Sequence, residues 1–182
     1  MKRYSYADSP LGRILLTGDG SSLTGVYFVG QKYEAVPLSD WREERDSSLL
    51  SEARDQLSDY FAGKRTAFEL PLAPAGTPFQ QSVWRELITI PCGTTVSYGS
   101  LAKSLGAASS VRAAGAAIGR NPISIVIPCH RVLGSDGSLT GYAGGLERKR
   151  ALLALEGNVR LKADLQGRTG VTGRSAFTRT GR

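Results

Sequence analysis

His130, the single histidine among 182 residues, directly follows Cys129, one of only two cysteines. That pairing suits nucleophilic chemistry. The thiolate is the reactive form of cysteine, and an imidazole close by raises its share at neutral pH. The two residues lie in the run Ile125-Val126-Ile127-Pro128-Cys129-His130-Arg131-Val132, whose apolar start reads as a buried strand ending where a reactive group must be presented. Neighbours along an extended chain point to opposite faces. Contact between thiol and imidazole therefore requires a bend after Pro128, or a bridging water. A cysteine after a strand also serves as a small core residue, and these residues alone leave that reading open. A structural zinc site fits poorly: two Cys and one His fall short of four ligands, and no pair has ligand spacing.

Two units must position this pair. Residues 1–70 begin with strand-like segments at 13–17 and 23–29, separated by the turn signal Gly18-Asp19-Gly20. Leu49, Leu50, Ala53, Leu57, Tyr60 and Phe61 then recur at helical spacing, with Gly63 where a C-cap falls. The Pro- and Ala-rich stretch 71–78 reads as a linker. Residues 79–157 are mostly helical in pattern. Thr77-Pro78 offers an N-cap and first-turn proline before Phe79, Val83, Trp84, Leu87 and Ile88, of which Phe79 and Trp84 are expected in the core. Ser97 caps a short helix that stops at Gly106, and Ser109 or Ser110 caps another from 111 to 119. Two short helices joined by a tight Gly-containing turn match a helix-turn-helix, although many helical hairpins bind nothing.

Composition narrows the setting. Hydrophobic content of 41% and charged content of 21% are ordinary for a globular protein. No apolar run is long enough to span a membrane, and the N-terminus lacks the apolar core of a signal peptide. Two cysteines without a disulfide framework point to a reducing, cytoplasmic compartment. The net charge of +7 invites a polyanionic partner, but +5 of it falls on 158–182, with six basic residues against Asp164. This tail reads as disordered: either a source of phosphate affinity or a solvated appendage. The helix 111–119 carries small residues between Arg112 and Arg120, which project about 80° apart. It lacks the Asn, Gln and Arg set of a base-reading helix, and suits a minor-groove fit better.

Taken in order, these motifs resemble the O6-alkylguanine-DNA alkyltransferase family. The match comprises Phe79-Gln80, Val83-Trp84, Ile90-Pro91-Cys92-Gly93, Ser97-Tyr98-Gly99, Asn121-Pro122 and Pro128-Cys129-His130-Arg131-Val132. It continues through Gly141-Tyr142-Ala143-Gly144-Gly145 and the stretch from Lys149 to Gly157. The resemblance is specific over 77–157 and looser before it. It implies an α+β protein: a small N-terminal RNase H-like sheet and helix domain, then a mostly helical C-terminal domain containing a helix-turn-helix. The implied activity is direct-reversal repair, in which the alkyl group of O6-alkylguanine, and of O4-alkylthymine, moves irreversibly to the protein's own cysteine after base flipping. The implied partner is alkylated double-stranded DNA, met by a monomer, with cooperative binding left open and no cofactor required.

The resemblance also implies roles. Cys129 is the alkyl acceptor, His130 its base through a water, and Glu156 the group that orients the imidazole. Asn121 braces the turn presenting the active-site segment. Tyr98 contacts the flipped nucleotide and donates a proton toward guanine N3. Arg112 fills the vacated place in the stack, with Ala113 and Gly115 beside it on the DNA-facing helix. Tyr142, Ala143 and Gly144 wall the pocket, and Val132 lines it with a carbonyl that accepts from the guanine amino group. Cys92 has no implied role beyond packing. Three other classes remain distinguishable: a lesion sensor lacking the nucleophile, a fused regulator with metal-binding cysteines, and a cysteine hydrolase with a similar thiol–imidazole pair. Cys129 speaks against the first, the cysteine count against the second, and the surrounding motifs against the third.

Overall fold

In the computed structural model, residues 2–45, 47–106 and 110–169 are described, with side chains as far as 157. The chain opens with strands β1 (Arg3–Ala7), β2 (Ile14–Gly18) and β3 (Leu23–Phe28), then the two-residue β4 (Arg42–Glu43). They form one sheet in the order β3-β2-β1-β4, antiparallel except where β4 runs parallel to β1. β2 lies second in that order and is buried along its whole length, as its unbroken Ile14-Leu15-Leu16 run demands. β1 has no counterpart in the sequence reading. Ser5 and Ala7 are its buried residues, while Tyr4 and Tyr6 are only partly buried and Arg13 lies over the Tyr6 ring, so its apolar rings do not mark the core.

Helix α1 (Ser48–Phe61) packs on β1 and β2 through Leu50, Ala53, Leu57 and Tyr60. It ends as expected at Gly63, whose φ of 70° is open to glycine at little cost, with its N–H on the Tyr60 carbonyl. Helix α2 (Pro78–Ile88) carries a full capping box: Thr77 Oγ1 accepts from Gln80 N–H, and Gln80 Oε1 accepts from Thr77 N–H. Trp84 is buried and its indole N–H reaches the Ala117 carbonyl at 2.9 Å. Phe79, expected in the core, is 37% exposed instead. The helix buries the stripe of Val83, Trp84 and Leu87 and turns its first turn outward.

After β5 (Val96–Ser97) come α3 (Tyr98–Ser104) and α4 (Val111–Gly119), which pack on each other, with α4 also against α2. Ser97 caps α3 through Ser100 N–H, while Ser110 begins α4 without a side-chain cap; Ser109 lies outside the described residues. Then follow a 3₁₀ turn at Cys129–Arg131, β6 (Val132–Leu133) parallel to β5, and α5 (Leu146–Thr169). Because α5 runs on to Thr169, the tail expected to be disordered from 158 is helical over its first part. Residues 170–182 lie outside the described residues.

One core joins the two halves, because the outer edge of β3 is not left open. Leu23 N–H donates to Pro71 O and its carbonyl accepts from Ala73 N–H, which lays the linker along the sheet. Farther along, Val26 N–H donates to Pro122 O and Val26 O accepts from Ser124 N–H. An unpaired edge is thereby covered. Val26, Ile123, Ile127 and Leu152 are fully buried in the shared cluster, each contributing about 1.5–3 kcal/mol of apolar burial. No helix among the described residues is long and apolar enough to cross a membrane.

Candidate active site

The apolar run before Cys129 is not the strand its composition suggests. Ile123 and Ser124 bridge to neighbours, then the chain doubles back: Val126 N–H bonds Ser124 O, and Ile127 N–H bonds Ile123 O. Ile125 takes a φ of 73°, which is costly for a β-branched residue and persists only where the surroundings over-determine it. Asn121, 4% exposed, supplies that constraint. Its Oδ1 accepts from Ile123 N–H at 3.0 Å, and its Nδ2 donates to Ile127 O at 2.8 Å. The same Nδ2 lies 3.1 Å from Cys129 Sγ. One amide therefore clamps the turn and touches the sulfur.

The 3₁₀ turn supplies the bend after Pro128, and no direct hydrogen bond joins thiol and imidazole among the described residues. His130 is fully buried and its Nε2 lies 2.8 Å from Glu156 Oε1. Burial above all pushes the Cys129 thiol up, opposed by the Asn121 bond and the Lys149 charge. Burial likewise pushes His130 down, opposed by Glu156. The resting pair is therefore a neutral thiol and a neutral imidazole. Because Nε2 faces a carboxylate, it carries the ring proton, leaving Nδ1 as the basic atom. Nδ1 has no protein partner among the described residues.

Glu156 is 1% exposed and heavily donated to. Oε1 receives Tyr60 O–H at 2.8 Å and Arg131 Nη2 at 2.8 Å besides His130; Oε2 receives Arg131 Nε at 2.9 Å and Gly93 N–H at 3.2 Å. These bonds and the Arg131 charge outweigh desolvation and hold its carboxyl far below the usual range. Arg131, 5% exposed, also donates to Ile90 O. Neither Arg131 nor Tyr60 was singled out as a site residue from sequence. An arginine reads as surface until a buried partner is known, and Tyr60 lies 96 residues from Glu156.

Lys149 is the other unanticipated group. It is fully buried, and its ammonium donates to Val132 O at 2.6 Å, Thr140 O at 2.7 Å and Gly141 O at 3.4 Å. It thus ties the loop before α5 to the segment after Cys129. Burial lowers its pKa from the ordinary 10.5 to about 8. Replacing Lys149 with Met should cost about 2–4 kcal/mol, because the carbonyls it serves lose their donor. The sign with pH follows from the lowered value. The burial penalty is complete below pH 8 and is relieved between 8 and 10.5, so the wild type should gain on Lys149→Met across that window. Urea unfolding at several pH values reads both effects. A stability difference under about 0.5 kcal/mol would mean the loop is held by other contacts.

The remaining expected residues divide. Tyr98, Tyr142, Ala143 and Gly115 line a cavity of about 400 Å³, together with Ala116, Gly119, Arg120, Gly141, Lys32 and Tyr33. Tyr98 O–H reaches Thr140 O at 3.1 Å. Gly144 is buried behind that wall, where a Cβ would meet the Tyr142 ring at 2.7 Å. Arg112 and Ala113 are exposed on α4 outside the cavity lining. Val132, expected to line the pocket, is fully buried and absent from its wall, and its carbonyl already accepts from Lys149. Cys129 is itself 5% exposed and also off the lining, yet close enough that its ionised form would raise both the Tyr98 and Tyr142 hydroxyls. No cluster of three or more potential metal ligands occurs among the described residues.

Comparison with known proteins fits this geometry. Residues 2–74 match the ribonuclease-like domain of 6-O-methylguanine DNA methyltransferase, and 78–158 match the DNA-binding domain of the same family. The methylated-DNA–protein-cysteine methyltransferase of Mycobacterium tuberculosis H37Rv is 50% identical over 165 residues, covering 91% of this chain and 98% of that one. The chain belongs to this methyltransferase family. The relative of the same name from Methanosarcina mazei is 46% identical over 85% of this chain and 97% of its own. The crystal structure of M. tuberculosis OGT in complex with DNA superposes with a TM-score of 0.80 at 47% identity, covering 86% of this chain and 94% of that one. As expected for a methyltransferase of this family, the architecture is α+β, with a ribonuclease-like sheet and helix before a helical domain.

Proposed function

We propose that this methyltransferase repairs DNA by taking the alkyl group of O6-alkylguanine onto Cys129 in a single, irreversible turnover. The observation that carries the reading is the buried Cys129 held by Asn121, beside a His130 whose Nε2 is fixed on Glu156 and whose Nδ1 is left as a base. A water passes the thiol proton to Nδ1. The sulfur then attacks the alkyl carbon, the C–S bond forms, and the C–O6 bond breaks with its electron pair going to guanine. Tyr98 O–H gives guanine N3 a proton and is reprotonated by solvent, which also takes the proton from His130, so guanine departs neutral and both side chains return to their resting states. Lys149 and Arg131 steady the pocket loop and the carboxylate, and the step draws on none of their protons.

A buried sulfur cannot reach a base inside a duplex, so the lesion is flipped into the cavity beside Tyr98, Tyr142 and α4, at a cost of a few kcal/mol. Helices α3 and α4 act as the helix-turn-helix. The exposed Arg112, Ala113 and Ala116 are small enough, apart from the arginine, to enter the minor groove. Arg112 fills the gap left by the flipped base, and O4-alkylthymine enters by the same route. A reducing compartment such as the cytoplasm suits a working thiol.

Incubation with duplex DNA carrying labelled O6-methylguanine tests the reading. One label per protein, on the peptide containing Cys129, is expected, with further substrate leaving the count unchanged. Repeated turnover would favour a cysteine hydrolase instead. Arg112→Ala should slow repair of duplex about 10-fold or more while leaving reaction with free O6-benzylguanine within about twofold, since only the duplex needs a gap filled. Equal losses on both substrates would make Arg112 structural.

A further inference from the structure

Glu156 belongs to α5, yet one of its donors comes from the N-terminal domain. The Tyr60 hydroxyl, on α1, donates to Oε1 at 2.8 Å, the same oxygen that meets His130 Nε2. Tyr60 is 1% exposed, and its ring packs edge-on against Phe61 at 5.5 Å and tilted against Phe68 at 5.4 Å. A phenylalanine would satisfy that packing equally well. The hydroxyl is also not needed to neutralise the carboxylate, because Arg131 already supplies one positive charge through two nitrogens. What the hydroxyl does is compete with the imidazole for one oxygen.

We propose that Tyr60 is a positioning residue of the transfer reaction, through which the N-terminal domain sets how strongly Glu156 draws a proton onto His130. This rests on the reading of Cys129 and His130 as acceptor and base. A donor on Oε1 withdraws charge from it and weakens its hold on an imidazolium. Removing that donor concentrates the charge on the His130 bond and makes Nδ1 more basic. The groups facing the relay are few. Glu156 meets Tyr60, Arg131 and Gly93 N–H besides His130, with the Cys92 thiol and the Tyr142 hydroxyl close enough for its charge to act on them. His130 feels Arg131 and Lys149, and Cys129 feels Lys149 and Asn121. Among these, only Tyr60 comes from the N-terminal domain.

The experiment compares wild type with Tyr60→Phe, and with 3-fluorotyrosine placed at 60 as a stronger donor. The rate of Cys129 alkylation by iodoacetamide is followed against pH, by mass of the Cys129 peptide. In that reaction the sulfur bonds to carbon, iodide leaves and the thiol proton goes to His130. In Tyr60→Phe the rising limb, where His130 sheds its proton and becomes the base, should move up by about half a unit, and alkylation above it should run about threefold faster. With fluorotyrosine the limb should move down and the rate above it should fall. A lower melting temperature with an unshifted limb would overturn the proposal and leave Tyr60 a packing residue. If Tyr60→Phe fails to fold, the fluorotyrosine arm decides alone, an unmoved limb again overturning it. The wild-type reaction with O6-methylguanine DNA separates the two claims: absent label there refutes the function, whatever the limb does.

Discussion

Cys129→Ser should leave a folded protein that binds alkylated DNA and takes up no alkyl group. Serine is slightly smaller, and Asn121 Nδ2, now 3.1 Å from the sulfur, can donate to a hydroxyl in its place. A buried hydroxyl with that donor costs little in stability. Its chemistry is another matter. An alcohol is far less acidic than a thiol, and burial already pushes even the Cys129 thiol up. A neutral His130 cannot supply the difference. Removal of a nucleophile from a relay of this kind costs several orders of magnitude, here at least about 10⁴-fold in rate. Intact mass after incubation with O6-methylguanine duplex reads the result, with gel-shift binding alongside. A stoichiometric adduct on the serine variant would refute the assignment of Cys129.

Glu156→Gln should damage both the chemistry and the fold. The carboxylate faces donors only: Tyr60, His130, Arg131 and Gly93 N–H. An amide brings a donating end into that ring, leaves the buried Arg131 uncompensated, and frees His130 to take the wrong tautomer. Breaking a buried ion pair on one side costs about 3–5 kcal/mol. Loss of the carboxylate behind a catalytic imidazole lowers rate by about 10³- to 10⁴-fold. The pH dependence has a definite sign. Glu156 has its carboxyl lowered by folding, so its contribution is complete above the unfolded value of about 4.3 and fades as pH falls below it. The variant should lack that acid-side loss. Urea midpoints from pH 3 to 7 and single-turnover rates with O6-benzylguanine measure the two effects. A variant within threefold of wild type in rate would show that Glu156 only fills space.

The elements around the site were written into local sequence. The N-cap and first-turn proline at Thr77-Pro78, the stop at Gly63 and the cap of α3 at Ser97 all rest on neighbours a few residues away, and all three form as expected. The motif order around Cys129 was likewise legible, because a family's spacing is a property of the chain alone. What the sequence by itself could not decide is where charge and strain settle. Lys149 and Arg131 read as surface cations, yet burial with fixed carbonyl and carboxylate partners makes them the frame of the site. The β-branched run 123–127 favours a strand, yet Asn121 and the edge of β3 outbid that preference and impose a turn with Ile125 at positive φ. Phe79 and Val132 change places for the same reason, since exposure depends on what packs opposite. Tyr60 reaches Glu156 across 96 residues, a contact that no local pattern encodes and only the closing of one domain on the other creates.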